Sequence, residues 1–349
     1  MREPALPHAS IPVFVPHVGC PQRCSFCDQH AISGAGGAPS PAEAARLCRR
    51  GLEELPPRFP QAEIAFFGGS FTAIPREEMI AFLEAVQPLR RHPRFGGIRI
   101  STRPDAVDME ILGILRRYGV RAIELGAQSL YNKVLEANRR GHTAEQAAEA
   151  AALIRNGGFE LGLQMMTGLY RSSPELDWGT GCRLAELSPD TVRIYPTAVL
   201  RGTLLAELMA RGEYVPPSLE ETVELCARLL ELFEERGIRV IRLGLHPSEQ
   251  LSREAVGGCV HPALGELCRS RVFRRRVCRA AEERGEAPAA ILVPPRELSQ
   301  AVGQKKCNLS WLRRRWPGVE ILPQAGLERG FQMRFQSTEE VVPYAASGH

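Results

Sequence analysis

From Ile64 onward, short β-rich apolar runs alternate with longer segments whose apolar residues recur at helical spacing, the pattern of parallel strands joined by crossover helices. Strands are predicted around Pro12–Val18, Glu63–Phe67, Gly97–Ser101, Ala122–Leu125, Glu160–Met166 and Thr191–Tyr195. Helices are predicted over Ala42–Leu55, Glu77–Arg91, Met109–Tyr118, Ala144–Asn156 and Pro174–Glu186. Six such units suggest an α/β fold, a partial (β/α)6 barrel, with chemistry at the carboxyl ends of the strands where the loops converge. A helix over Leu219–Arg236 and the run IRVIRLGLH close one side, so the barrel is expected over residues 1–250. Residues 251–286 read as a charged helical connector, and 287–324 as a small α+β module of strand, helix and strand. The polar, glycine-containing stretch 325–349 is expected to be a flexible tail.

A chain of 349 residues with 44% hydrophobic and 24% charged content is ordinary for a soluble protein with a sizeable core. No basic head followed by an apolar run and a cleavage site opens it, and nowhere do about eighteen apolar residues follow one another. The expectation is a cytoplasmic protein with no membrane partner. Ten cysteines without a secretion signal fit a reducing compartment. A formal charge of +4 is too mild to draw the whole molecule to nucleic acid, although basic residues crowd into Arg269–Arg279 and Trp311–Trp316. Either run, taken alone, is ordinary for a solvated helix face.

The candidate chemistry sits after the first strand. In CPQRCSFCDQ, three thiols, Cys20, Cys24 and Cys27, share one loop with no fourth nearby. Three thiolates satisfy three irons of a 4Fe-4S cube and leave the fourth iron open for a ligand, whereas structural zinc wants four closed positions. On spacing alone, zinc binding and unrelated reduced cysteines stay open beside the cluster. The other seven cysteines show no tight ligand spacing, and most read as buried small apolar residues. Past the second strand stands FFGGSFT, where Gly68, Gly69 and Ser70 let backbone groups approach a ligand closely.

The C-x3-C-x2-C spacing with Phe26 before its last cysteine resembles the signature of the radical S-adenosylmethionine (SAM) superfamily. Three longer segments, STRPD at Ser101–Asp105, IELGAQSLYNKVLEANRRGHT at Ile123–Thr143 and IYPTAVLRGTLLAEL at Ile194–Leu208, resemble the radical SAM domain of the Elongator catalytic subunit, without the acetyltransferase domain that accompanies it there. RLGLH at Arg242–His246 and HPALGELCRSR at His261–Arg271 extend the likeness over roughly the first 270 residues. Oxygen-independent coproporphyrinogen oxidase is a more distant likeness.

The resemblance implies that Cys20, Cys24 and Cys27 bind the cluster and that the Phe26 backbone faces the adenine of SAM. It implies that Gly68, Gly69 and Ser70 hold the methionine amino group, that Gln128 reaches the ribose and that Arg140 pairs with the carboxylate. These types suit such posts, since an arginine fork meets a carboxylate and an amide serves hydroxyls both as donor and as acceptor. Gln164 is a further candidate for SAM contact, at a place where the porphyrinogen enzyme has aspartate. Arg103, Glu124, Arg193 and Tyr195 lie at strand ends facing the expected substrate. Each of these could instead be a paired structural residue; His142, His246 and His261 read as packing or supporting groups. The implied chemistry is reductive cleavage of SAM to methionine and a 5′-deoxyadenosyl radical that takes hydrogen from substrate, fed by an electron donor such as flavodoxin or ferredoxin.

The segment ILVPPRELSQAVGQKKCNLSWLRRRWPGVEILP resembles the KH modules of the transcription factor NusA. Its clamp would be Gly303, Gln304, Lys305 and Lys306, lacking the second glycine of a G-x-x-G loop, with Asn308, Arg313 and Arg314 on the following helix. Together these imply an enzyme modifying an RNA nucleoside, most plausibly in tRNA. The alternatives are a radical SAM enzyme acting on a small molecule or protein, and an RNA-binding protein with a structural or redox-sensing cluster.

Overall fold

The structure, a computed structural model, describes residues 9–15, 20, 23–33, 37–335 and 341–344. The expected end of the first strand at 16–18, two positions of the cysteine loop (21 and 22) and parts of the expected tail (336–340 and 345–349) lie outside the described residues. The chain divides into two compact units, 1–218 with 238–262, and 219–237 with 263–349.

The first unit carries β1 Ser10–Val15, β2 Ala62–Gly68, β3 Phe95–Thr102, β4 Val120–Gln128, β5 Glu160–Thr167, β6 Thr191–Pro196, β7 Ala198–Leu200, β8 Arg239–Leu243 and β9 Ala255–Gly258. Seven of them form one parallel sheet in the order β1-β2-β3-β4-β5-β6-β8, while β7 and β9 pair antiparallel. Among the described residues the parallel sheet therefore has seven strands, one more than expected, the last supplied by the run IRVIRLGLH. The sheet is strongly curled. The Arg193 guanidinium of β6 lies 5.0 Å from the Phe67 ring of β2, although three strands separate the two, and a flat sheet spaced at about 4.8 Å per strand would forbid the contact.

Alternation along the strands sorts the two faces. Ile98, Ile100, Ile123, Leu125, Leu161, Leu163, Val192 and Ile194 are buried on the convex face, where Leu112, Leu115, Ala147, Ile154 and Leu184 of the crossover helices meet them. Those helices start at side-chain caps, with reciprocal boxes at Ser40–Glu43 and Thr143–Gln146 and single caps at Asp108 and Ser173. The concave face is polar, which departs from the apolar filling usual in closed parallel barrels. Arg99, fully buried, bonds Glu63 at 2.7 Å and Glu160 at 2.8 Å, and Glu124 lies 3.5 Å away. Room for Glu124 comes from Gly162, where an added Cβ would stand 2.7 Å from the Glu124 Cγ. Gly162→Ala is expected to cost about 1–3 kcal/mol, read as a lower urea midpoint at unchanged slope.

In the second unit the helices Leu219–Glu235 and Leu264–Arg284 are laced by Arg271 to Glu220 and Glu224, Arg275 to Glu224 and Glu231, and Arg276 to Glu234. The basic run Arg269–Arg279 is thus turned inward on an acidic helix. A sheet of β10 Pro288–Val293, β11 Glu320–Pro323, β12 Phe331–Phe335 and β13 Val341–Tyr344 follows, in the order β11-β10-β12-β13. Its core holds Ile291, Val293, Leu312, Phe331, Met333 and Phe335. Two expectations are corrected here. The stretch after 325 is not a loose tail over its described part, because FQMRF alternates with period two and buries its apolar side against β10. The helix starting at Leu219 groups with this unit rather than with the barrel, since its acidic face is matched to the arginines of Leu264–Arg284.

Candidate active site at the rim of the half-barrel

The cysteine loop is held by its neighbours. Ser25 N and Oγ bond the Asn138 carbonyl and Oδ1 at 3.1 and 2.7 Å, and Leu205 N donates to the Ser25 carbonyl at 2.8 Å. Phe26 is buried with Val134, Leu169, Val199 and Leu205, and Cys24 and Cys27 pack against that cluster. The three thiols are free and partly exposed. Burial and the nearby Cys24 push the Cys27 thiol up to about 12 and raise Cys20 as well. Thiols crowded in this way ionise only when a cation compensates them, which is the service a metal group provides. Among the described residues no three Cys, His, Asp or Glu side chains converge on one point as a mononuclear site requires; a cluster giving each thiolate its own iron does not need that convergence.

Around the loop stand polar atoms that are buried and lack partners. Arg140 donates from Nη1 to Cys24 Sγ at 3.1 Å and from Nη2 to the Gly126 carbonyl, leaving Nε without an acceptor. Gln128 ends β4 in a left-handed conformation, φ 65°, with Oε1 unmatched. Both crowd over Gly126, where a Cβ would meet Gln128 Nε2 at 3.0 Å and Arg140 Nη2 at 3.3 Å. Arg103 Nη1 and His142 Nδ1 complete a group of four orphaned atoms. Unsatisfied buried polar atoms cost roughly 1–3 kcal/mol each, so four around one loop mark a place built for a polar ligand. A carboxylate, ribose hydroxyls and an ammonium would match this set, so the donors fit SAM.

Other expected residues have internal duties. Gly68, at φ 111°, packs so closely on Val15 that a Cβ would stand 3.0 Å from its backbone, and Gly69 N bonds the Val15 carbonyl at 2.8 Å. Ser70 is revised from ligand contact to strut: fully buried, its Oγ lies 2.9 Å from Thr102 Oγ1 and accepts from Arg103 N at 3.1 Å. Arg103 is partly committed inside the protein, forked onto Asp105 at 2.8 Å through Nε and Nη2 and donating to the Arg140 carbonyl at 2.8 Å, with Nη1 left in the orphaned group. Glu124, 1% exposed, receives Arg193 at 2.6 and 2.9 Å and Gln164 Nε2 at 2.9 Å, so its carboxylate is committed to the sheet. Gln164 also donates to Ser101 at 3.2 Å, placing its amide nitrogen in this network rather than at SAM. Arg193 is held in the same pair, with Nε and Nη2 both on Glu124, and half-buried Tyr195 stands two residues further along β6 on the same face. Arg99, Asp105 and Arg242 are contributors that sequence reasoning missed; the charge alternation in RISTR and VIR was the available signal.

His142 and Asp177 carry opposite pH dependences. Burial and then Arg140 lower His142 to about 4, while its Nε2 lies 3.3 Å from the Ala127 carbonyl. Burial raises Asp177 to about 6 even though it accepts from Ser172 Oγ and Gly168 N. A depressed histidine makes the fold gain stability as pH rises from about 4 to 6.5, and a raised carboxylate makes it lose stability from about 4 to 6. In the native chain the two dependences oppose each other over this range. His142→Gln should therefore expose a fall of about 3 kcal/mol between pH 4 and 6, and Asp177→Asn a rise of similar size, in denaturant titrations.

In the second unit, Gly303 at φ 79° faces Cys307 Sγ and Ser270 Oγ, 2.6 and 3.0 Å from where a Cβ would lie. Gln304, Lys305 and Lys306 are exposed, and both lysines take left-handed backbone, φ 49° and 60°. Asn308 is corrected from an RNA contact to a buried tie, because its Nδ2 donates to Ser270 O and Oγ at 2.8 Å and to Ala301 O at 3.1 Å. Arg313 is exposed and bonds the Val319 carbonyl through Nε at 3.1 Å, and Arg314 is exposed.

Residues 14–175 match the model of the radical SAM superfamily, and 189–274 that of the radical SAM C-terminal domain. A tRNA uridine(34) acetyltransferase of Methanocaldococcus jannaschii is 36% identical over 129 residues, 36% of this chain and 24% of that protein. Elongator complex protein 3 of Homo sapiens is 33% identical over 201 residues, 52% of this chain and 37% of that protein. The match thus spans well under half the length of either relative. Methanocaldococcus infernus Elp3 lacking its amino terminus shares the fold, with a TM-score of 0.58 at 23% identity, covering 79% of this chain and 64% of that one. With the three-cysteine loop at the rim of a curled parallel sheet and family matches over both of these stretches, the chain belongs to the radical SAM superfamily, enzymes that work with a 4Fe-4S cluster and SAM.

Proposed function

We propose that this enzyme modifies a nucleoside in RNA, with uridine in tRNA the favoured target. The observation that carries the reading is the group of orphaned polar atoms beside the cysteine loop, in a chain whose similar proteins include one named for tRNA uridine 34. Cys20, Cys24 and Cys27 would each hold an iron, and the remaining guanidinium edge of Arg140 would meet the SAM carboxylate. Gln128 Oε1 would accept from the ribose, and the Phe26 backbone would line the adenine. The Gly68–Gly69 turn would offer its backbone to the amino group. Cluster and SAM, once bound, supply hydrogen-atom abstraction after one electron arrives from a carrier such as flavodoxin or ferredoxin, in a reducing cytoplasm. Arg103 and Asp105 keep Arg140 in place, and the apolar packing of Phe26 and Leu169 excludes water from the loop.

The exposed Gln304, Lys305 and Lys306 turn, with Arg313 and Arg314 on the next helix, would grip the RNA in KH-like fashion, the left-handed lysines standing where a glycine is usual. Mass analysis of tRNA nucleosides from cells with and without the gene tests the whole reading: one nucleoside should disappear or lose its modification. An unchanged nucleoside profile would overturn it. Lys305→Gln with Lys306→Gln is expected to weaken RNA binding severalfold and to make its salt slope shallower by about 1–2, measured by titration in rising salt.

A further inference from the structure

Among the described residues, most arginines on the concave face of the half-barrel are matched by carboxylates. Arg99, Arg193 and Arg239 meet Glu63, Glu124 and Glu160, and Arg103 meets Asp105. Arg140 faces the cysteine loop. Arg242 is half-buried near the end of β8 and, among the described residues, has no carboxylate within ion-pair distance. Its direction follows from a register shift: Val192 pairs with Val240 but Arg193 with Arg242, so Ile241 is skipped and Arg242 shares the face of Arg193. Only its Nε is used, donating to the Gly244 carbonyl at 2.9 Å. Tyr195 stands on the same face, close enough to feel the Arg242 charge.

Nη1 and Nη2 of Arg242 have no protein acceptor among the described residues and are not sealed from solvent, so an anion can take them without displacing a protein partner. With Nε occupied, the free edge is the pair Nη1 and Nη2, whose parallel N–H groups suit two oxygens of one phosphate. We propose that Arg242, flanked by Tyr195, binds a phosphate of the substrate, the phosphodiester next to the target nucleoside. The phosphate being part of RNA rests on the reading above, whereas the anion site rests on Arg242 alone.

Equilibrium binding of uridine, uridine 3′-monophosphate and a short RNA hairpin to iron-loaded native protein, Arg242→Gln and Arg242→Lys tests this. The native protein should prefer the nucleotide over the nucleoside by about tenfold or more, and Arg242→Gln should erase that preference and make the salt slope for the hairpin shallower by about 1. Arg242→Lys should keep the slope while losing most of the preference, because charge survives and the fork does not. A preference retained in Arg242→Gln, or absent from the native protein, overturns the site. If the nucleotide preference depends on Arg242 but the hairpin does not bind the native protein, the anion site stands and the RNA reading falls. Iron content and thermal midpoint check that the variants fold; should Arg242→Gln fail to load iron, the lysine variant decides, an unchanged preference there counting against the site.

Discussion

Cys24→Ser is expected to lose the cluster, with iron falling from about four per chain toward background and 5′-deoxyadenosine formation from SAM abolished. Serine keeps the size of the side chain but is a poor iron ligand, and two thiolates cannot hold a cube that needs three. The fold should survive. The loop is anchored by the Ser25–Asn138 and Leu205–Ser25 hydrogen bonds and by buried Phe26, none of which involves the Cys24 sulfur. Thermal denaturation of the variant should therefore match that of the native apo-protein, while anaerobic iron analysis and product assays separate the two. A normally loaded variant that still cleaves SAM would remove the basis of the site.

The largest stability effect is expected at Arg99, whose side chain is 1% exposed and compensates Glu63, Glu124 and Glu160 together. Arg99→Met would leave carboxylates buried without their cation, at a cost of about 3–5 kcal/mol, read from urea denaturation. Stranded carboxylates take up protons more readily in the folded state, so acidification should shrink the deficit, making it larger at pH 8 than at pH 5. Adding Glu63→Gln should recover part of the loss, because it removes one of the uncompensated charges. Arg99→Lys should remain well below native stability, since one ammonium cannot reproduce a guanidinium that bonds Glu63 and Glu160 at once. A deficit under about 1 kcal/mol, or one indifferent to pH, would show that the ladder does not hold the sheet.

Much of the barrel was legible because its signals are local. The crossover helices announce themselves by apolar spacing, and strands such as Ile98–Ile100 by short β-rich apolar runs. The cysteine loop is likewise local, three ligands within eight residues. Misreadings cluster where a residue's partner is remote in sequence. Glu124 was assigned to substrate because nothing nearby shows Arg193, 69 positions later, closing on it. Asn308 was assigned to RNA because its acceptor on Ser270 lies 38 positions earlier. The stretch after 325 was misread for a different reason, as glycine and polar content outweighed a short alternating run.

Sequence by itself determined the order of the first six barrel strands and their crossover helices and the three thiols of one loop, because spacing and periodicity are properties of neighbouring residues. Only the tertiary structure decided which charged side chains are matched and which are left over. Curling the sheet carries Arg193 across to Phe67, and the skipped residue in β8 turns Arg242 onto the same face. Those pairings depend on distances through space between strands far apart in the chain, and they separate the struts Ser70 and Glu124 from the groups still open to a ligand.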